Sequence, residues 1–172
     1  METKYNDFRE DLEFSHSADI LPMWETIYNE AFPDNLGIFN NRDDGELQRN
    51  GIDRTIVLPG GKAIYVDEKV RRVDYKKGDI FIEFVSNDKR NSPGWAEKRL
   101  FCDYIAYAII PTKVCYLLPV PQMQAVWKRN KDVWIKRYGV ARAKNETYTT
   151  LGCPVPVGVL YPAIGNCFRV RW

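Results

Sequence analysis

Asp53, Asp67 and Lys69 are the side chains whose types and spacing best support chemistry in this sequence. They fall within Asn50–Val70, which reads as two strands, Ile52–Leu58 and Lys62–Val70, joined by Pro59-Gly60-Gly61. β-Branched and aromatic residues flanking a glycine pair are a hairpin signal, because glycine takes the positive φ that such turns demand. A three-residue loop sets Leu58 against Lys62 and, counting outward, Asp53 against Asp67. A two-residue Gly60-Gly61 turn sets Asp53 against Glu68 instead and takes the three groups apart. Lys69 lies two residues beyond Asp67 and therefore on the same side of its strand.

Directly opposed carboxylates repel one another across a strand pair. A divalent cation between them removes the cost, and Mg²⁺ is commonly held by one or two carboxylates together with phosphate oxygens. A lysine beside the pair can neutralise developing charge or orient water. Such a set suits metal-dependent hydrolysis of a phosphodiester. Other chemistries have less to work with. His16 is the one histidine, which argues against Ser-His-Asp or Cys-His catalysis. Cys102, Cys115, Cys153 and Cys167 show no C-x-x-C pairing and read as reduced structural thiols rather than a zinc site.

The pattern of Asp53, a turn, then Asp67-Glu68-Lys69 resembles the PD-(D/E)xK nuclease superfamily, with Ile52 standing where that motif carries proline. The stretch is also similar to small phage-encoded nucleases. The resemblance spans roughly Ser17–Pro119 and implies a restriction-endonuclease-like αβββαβ core, an α/β fold with a central mixed sheet flanked by helices. A C-terminal α+β extension, about 120–172, completes a single domain. It implies Mg²⁺, with Mn²⁺ as a substitute, held by Asp53 and Asp67 with the Glu68 carbonyl as a further ligand. Lys69 then steadies the nucleophile, and DNA is cut to leave 5′-phosphates. An acid from the preceding helix, Glu25 or Glu30, reaches the metal in many members. Many members act as dimers, so a homodimer is compatible with it. The alternative is a nucleic-acid-binding or protein-interaction module that keeps the fold without its chemistry.

The remaining elements are those that must position this hairpin. Ile20, Trp24, Ile27, Tyr28 and Ala31 recur at i, i+3, i+4 as the apolar stripe of a helix from Ser17 or Asp19 to about Phe32, with Pro22 in its first turn. Pro33–Arg49 reads as a long polar loop. Asp79–Ser86 is nearly continuously apolar, as a central strand should be. Glu83 interrupts it, so it either meets a basic side chain or joins the metal cluster from the strand beside Asp67. Ser92-Pro93 signals a helix start and a helix to about Ile110. Lys113–Pro119 reads as a fourth strand and Pro121–Tyr138 as helical. The proline-rich tail restricts any further strands to edges.

Charge is unevenly spread: the formal net of +2 combines −9 over residues 1–47, +10 over 48–144 and +1 over 145–172. A basic region around the hairpin suits a polyanion, although acidic and basic segments neutralising one another explains the numbers equally well. Arg54, Lys89, Arg90, Lys98, Arg99, Lys128 and Arg129 are the candidate contacts to a nucleic-acid backbone. No apolar run approaches 18 residues and the N-terminus is acidic, so a cytoplasmic protein is expected.

Overall fold

A computed structural model of the chain describes Ser17 and residues 22–74, 78–165 and 167–172. Its elements run α1 (Met23–Ala31), β1 (Gly37–Asn40), α2 (Gly45–Arg49), β2 (Arg54–Leu58), β3 (Lys62–Arg71), β4 (Asp79–Asn87), β5 (Ser92–Pro93) and β6 (Tyr104–Ile109). After a 3₁₀ turn at Ile110–Thr112 come β7 (Val114–Pro119), α3 (Val120–Tyr138), β8 (Ala141–Lys144), β9 (Thr149–Pro156), α4 (Val157–Ile164) and β10 (Phe168–Arg171). The fold is mixed α/β. Two compact units emerge, one from residues 22–74, 100–121 and 167–172, the other from 78–99 and 122–165.

The first unit holds a mixed sheet in the order β1-β2-β3-β6-β7-β10. Among the described residues, β3 and β6 form its one parallel pair, in the register Asp67↔Ile105 and Lys69↔Tyr107. The hairpin has the expected three-residue loop, with Leu58↔Lys62 and Arg54↔Val66. Gly60 and Gly61 take φ of 80° and 74°, left-handed values that explain why glycine occupies both positions. β6 and β7 are buried along nearly their whole length, and their apolar runs (Ile105–Ile109 and Val114–Pro119) leave no polar face. α1 buries Met23, Trp24, Ile27 and Tyr28, with the Trp24 and Tyr28 rings stacked 5.8 Å apart. The sequence stripe therefore holds for this stretch. Ile20 and the Ser17/Asp19 cap fall before it, and Asp19 and Ile20 lie outside the described residues.

The second unit holds the sheet β5-β4-β9-β8. Phe84 stacks on Trp127 at 5.6 Å, and Trp134 lies 6.3 Å beyond. Both tryptophans of α3 are thus core residues, and Trp127 Nε1 donates to Glu97 Oε1 at 3.1 Å. Cys102, Cys115, Cys153 and Cys167 are free thiols. Among the described residues no helix is long and apolar enough to cross a membrane.

Four expectations need correction. Asp79–Asn87 is not a third strand beside the hairpin; it pairs with β9 and β5, and the strand next to β3 is β6. The helix expected over 93–110 is instead a short edge strand, a turn and β6. Gly94 is the physical reason at its start. A Cβ there would lie 2.5 Å from the Glu83 carbonyl oxygen, so the chain lies against β4, with Ala96 N donating to that same oxygen at 3.0 Å. Farther on, Tyr104–Ile109 is a short apolar run that periodicity cannot tell from a buried helix segment. Pro33–Arg49 is ordered rather than a plain loop, since β1 adds to β2 and the Asp44 carboxylate caps α2 by accepting from Glu46 N and Leu47 N. Finally, Pro154 sits in β9, an internal strand, although β8 pairs only with residues 149–152 and leaves that side of Pro154 free of ladder bonds. Pro162 lies within α4 rather than in a strand.

Candidate active site

β2 ends in a way that puts Asp53 to use. The strand ladder stops at Arg54, but Asp53 N still donates to Val66 O at 2.8 Å, and Asp53 O accepts from Asn41 N at 2.9 Å. Its carboxylate then continues the ladder, with Oδ2 accepting from Glu68 N at 2.6 Å. Gln48, on the short helix α2, donates from Nε2 to Oδ1 at 2.8 Å, and Arg42 Nε lies 3.9 Å from the same oxygen. Burial pushes the Asp53 carboxyl up. The Lys69 ammonium, the Glu68 N–H, Arg42 and Gln48 together outweigh it and hold the group below its usual value. Asp53 is therefore ionised at neutral pH, fixed at both oxygens, and still has lone pairs to offer.

Asp67 follows Val66, the last residue of β3 that the ladder pairs with β2. It is buried, and Lys69 Nζ forms an ion pair with its Oδ1. The lysine side chain is about a third exposed, at 34%, while that of Asp67 is 4% exposed. Lys69 thus acts on both aspartates at once, touching one and lowering the other. The Cys102 thiol belongs to the same neighbourhood: burial first, then Asp67, pushes it up to about 12, which keeps it a neutral thiol.

Glu68 points to the other face of β3 and lives in a different environment. Its side chain is fully buried, with Oε1 accepting from Tyr28 OH at 2.9 Å and from Arg54 Nε at 2.9 Å, and Oε2 from Arg42 Nη2 at 3.2 Å. Burial raises its carboxyl to about 7; Arg54 pulls it down, Asp53 pushes it up, and Arg42 and the Tyr28 hydroxyl pull it down. Arg42 bridges Glu68 and Asp53, so the ordered segment before the hairpin is tied to both faces of the site.

The three expected groups Asp53, Asp67 and Lys69 are thus brought together, and other candidates are placed elsewhere. Arg54 is buried in its pair with Glu68, which removes it from the list of backbone contacts. Glu83 lies on β4, in the other unit's sheet, so it does not join from the strand beside Asp67. Glu25 and Glu30 lie on the exposed face of α1; the side chain by which this helix reaches the cluster is Tyr28. Lys89, Arg90, Lys98 and Arg99 are exposed on turns of the second unit, and Lys128 and Arg129 on the outer face of α3.

Sequence reasoning passed over Tyr28, Arg42 and Gln48. Tyr28 carried a signal, since a tyrosine in a buried helical stripe needs a partner for its hydroxyl. Arg42 carried a weaker one, as a rare cation in an acidic segment. Gln48 carried none. Among the described residues, no three His, Cys, Asp or Glu side chains gather as a ready-made metal cluster. A pair of aspartates is nevertheless a donor set that Mg²⁺ uses, the remaining positions going to water, carbonyl oxygen and phosphate. Comparisons of the chain with protein-family models, curated proteins and solved structures each returned no match.

Proposed function

We propose that this chain is a metal-dependent DNA endonuclease of the PD-(D/E)xK type, working through Asp53, Asp67 and Lys69. The observation that carries the reading is the meeting of two buried carboxylates from opposite hairpin strands with one lysine that acts on both. Asp53 and Asp67 would hold Mg²⁺ or Mn²⁺, with the Glu68 carbonyl as a further donor. Bound there, the cation supplies a water of lowered pKa and polarises the phosphoryl oxygen.

The chain's own residues do the rest. Gln48 and the Glu68 N–H fix the Asp53 carboxylate so that it needs no reorganisation when substrate arrives. Lys69 presents its ammonium to the water that attacks phosphorus and to the charge that grows on the phosphoryl oxygens. The new P–O bond forms as the P–O3′ bond breaks, the leaving 3′ oxygen takes up a proton, and a 5′-phosphate remains. Exposed Lys89, Arg90, Lys98, Arg99, Lys128 and Arg129 give the second unit cations of its own that suit a nucleic-acid backbone.

The test is cleavage of supercoiled and linear plasmid by purified protein with Mg²⁺ or Mn²⁺, beside Asp67→Ala and Lys69→Ala. Metal-dependent cutting that both substitutions abolish, with folding intact, supports the reading. Failure of the wild type to cut duplex, branched or single-stranded DNA refutes it and leaves the non-catalytic binding module.

A further inference from the structure

Phe39, Thr55 and Tyr65 stand in one row across β1, β2 and β3, since Phe39 pairs with Thr55 and Thr55 with Tyr65. Directly paired residues share a sheet face, and along β3 so do Tyr65, Asp67 and Lys69, each two residues from the last. The row therefore lies on the same face as the proposed catalytic groups and adjoins them. Phe39 lies on the edge strand β1 and Tyr65 on the interior strand β3, where a large aromatic is normally covered. Here Phe39 is 56% exposed and Tyr65 37%.

The local structure holds these rings as a surface rather than as loose side chains. A Cβ at residue 37 would lie 3.0 Å from the Phe39 ring, so glycine at that position lets the ring lie down along its own strand. Asn41 Nδ2 donates to Thr55 Oγ1 at 2.7 Å and fixes the small residue between the two rings. Tyr65 is anchored at both ends of its peptide unit, its N–H donating to Asp103 Oδ2 at 2.8 Å and its carbonyl accepting from Asp103 N at 2.7 Å.

We infer that this row is a stacking platform for an unpaired base of the strand being cut, so that the site acts on single-stranded or locally unpaired DNA. The inference rests on the nuclease reading of the same face. Tyr65 and Asp67 are two residues apart, about 7 Å along the strand, within reach of a single nucleotide. A base whose phosphate lies at Asp67 and Lys69 can therefore rest on the Tyr65 ring. Paired bases inside a duplex cannot, because their faces are occupied by their neighbours. Aromatic side chains bind successive bases in this way with little sequence preference, alongside cations that track the backbone. Lys69, on the same face of β3 as Tyr65 and two residues beyond Asp67, brings a cation beside the row, which complements a polyanion.

The experiment measures binding of the full chain, in EDTA, to a single-stranded oligonucleotide carrying 2-aminopurine and to the matching blunt duplex. Wild type is compared with Phe39→Ala, Tyr65→Ala, the double substitution and Tyr65→Phe. Wild type is expected to bind the single strand more tightly than the duplex and to quench the 2-aminopurine. The double substitution should weaken single-strand binding by about 10- to 100-fold and lose the quench, leaving duplex affinity unchanged, whereas Tyr65→Phe retains both. Both substituted positions are exposed, so folding should survive. If wild type binds and cuts DNA but the alanine variants show the same Kd and quench, the platform is refuted and the nuclease reading stands. If wild type neither binds nor cuts any DNA, both fall.

Discussion

Two consecutive carboxylates on β3 have opposite circumstances. Glu68 is enclosed by Tyr28, Arg54 and Arg42, with a side chain that water does not reach. Asp67, one residue earlier and on the other face, has a lysine beside it that is partly open to solvent. The strand's two-residue alternation makes this division possible, since one step along the backbone moves a group from core to site. The difference teaches that ion-pair count is a poor guide to function. The acid with three fixed, inward partners reads as architecture; the acid whose counter-ion can still meet a ligand reads as chemistry. Asp53 belongs to both, bonded to the backbone of Glu68 while Lys69 lowers its pKa and so favours its charged form.

The sharpest break between the two faces lies in activity. Asp67→Asn and Lys69→Ala are expected to reduce metal-dependent cleavage by on the order of 10³-fold, with thermal unfolding little changed in Asp67→Asn. On the other face, Glu68→Ala leaves Arg54 and Tyr28 facing an empty buried site. It should destabilise the chain by about 3–5 kcal/mol, read by chemical denaturation.

Smaller effects follow from proton linkage. Folding raises the Glu68 carboxyl from its ordinary 4.5 to about 7, so the folded state binds the extra proton between those values. Its stabilising contribution is complete below about pH 4.5 and is lost as pH rises to about 7, a change of up to about 3 kcal/mol. Asp53 runs the other way: its folded value is lowered, so its contribution is present above the ordinary carboxylate range and lost as pH falls through the folded value. Glu68→Gln should flatten the decline between pH 4.5 and 7 in denaturation curves, while Asp53→Asn should blunt the loss at acid pH. Tyr28→Phe, which removes one hydrogen bond to the buried carboxylate, should cost about 1.5–3 kcal/mol. Least of all, Lys128→Ala with Arg129→Ala should leave stability unchanged and reduce the salt slope of DNA binding by about 2.

The hairpin was legible in the sequence from its glycine-bearing turn, but its register was open between a three-residue and a two-residue loop, and the structure takes the three-residue one. The α1 stripe was legible from its i, i+3, i+4 spacing. Placement of Asp79–Asn87 was not. An apolar strand announces that it is covered on both faces without naming its neighbours, and its partner β9 comes some 70 residues later. The segment from Pro93 to Ile110 was misread because local cap signals at Ser92-Pro93 were overridden by Gly94 packing on the Glu83 carbonyl. Of the candidate site, Asp53, Asp67 and Lys69 were proposed from type and spacing. The Glu68 network could not be, since Tyr28 and Arg42 reach it from 40 and 26 residues away.

The most direct test of this division pairs cleavage with unfolding on the same preparations of wild type, Asp67→Asn and Glu68→Gln. The account predicts that Asp67→Asn keeps wild-type stability at neutral pH and loses Mg²⁺-dependent DNA cleavage. It predicts that Glu68→Gln changes the pH dependence of stability and, where folded, still cuts. An Asp67→Asn protein that cuts as well as wild type would contradict it.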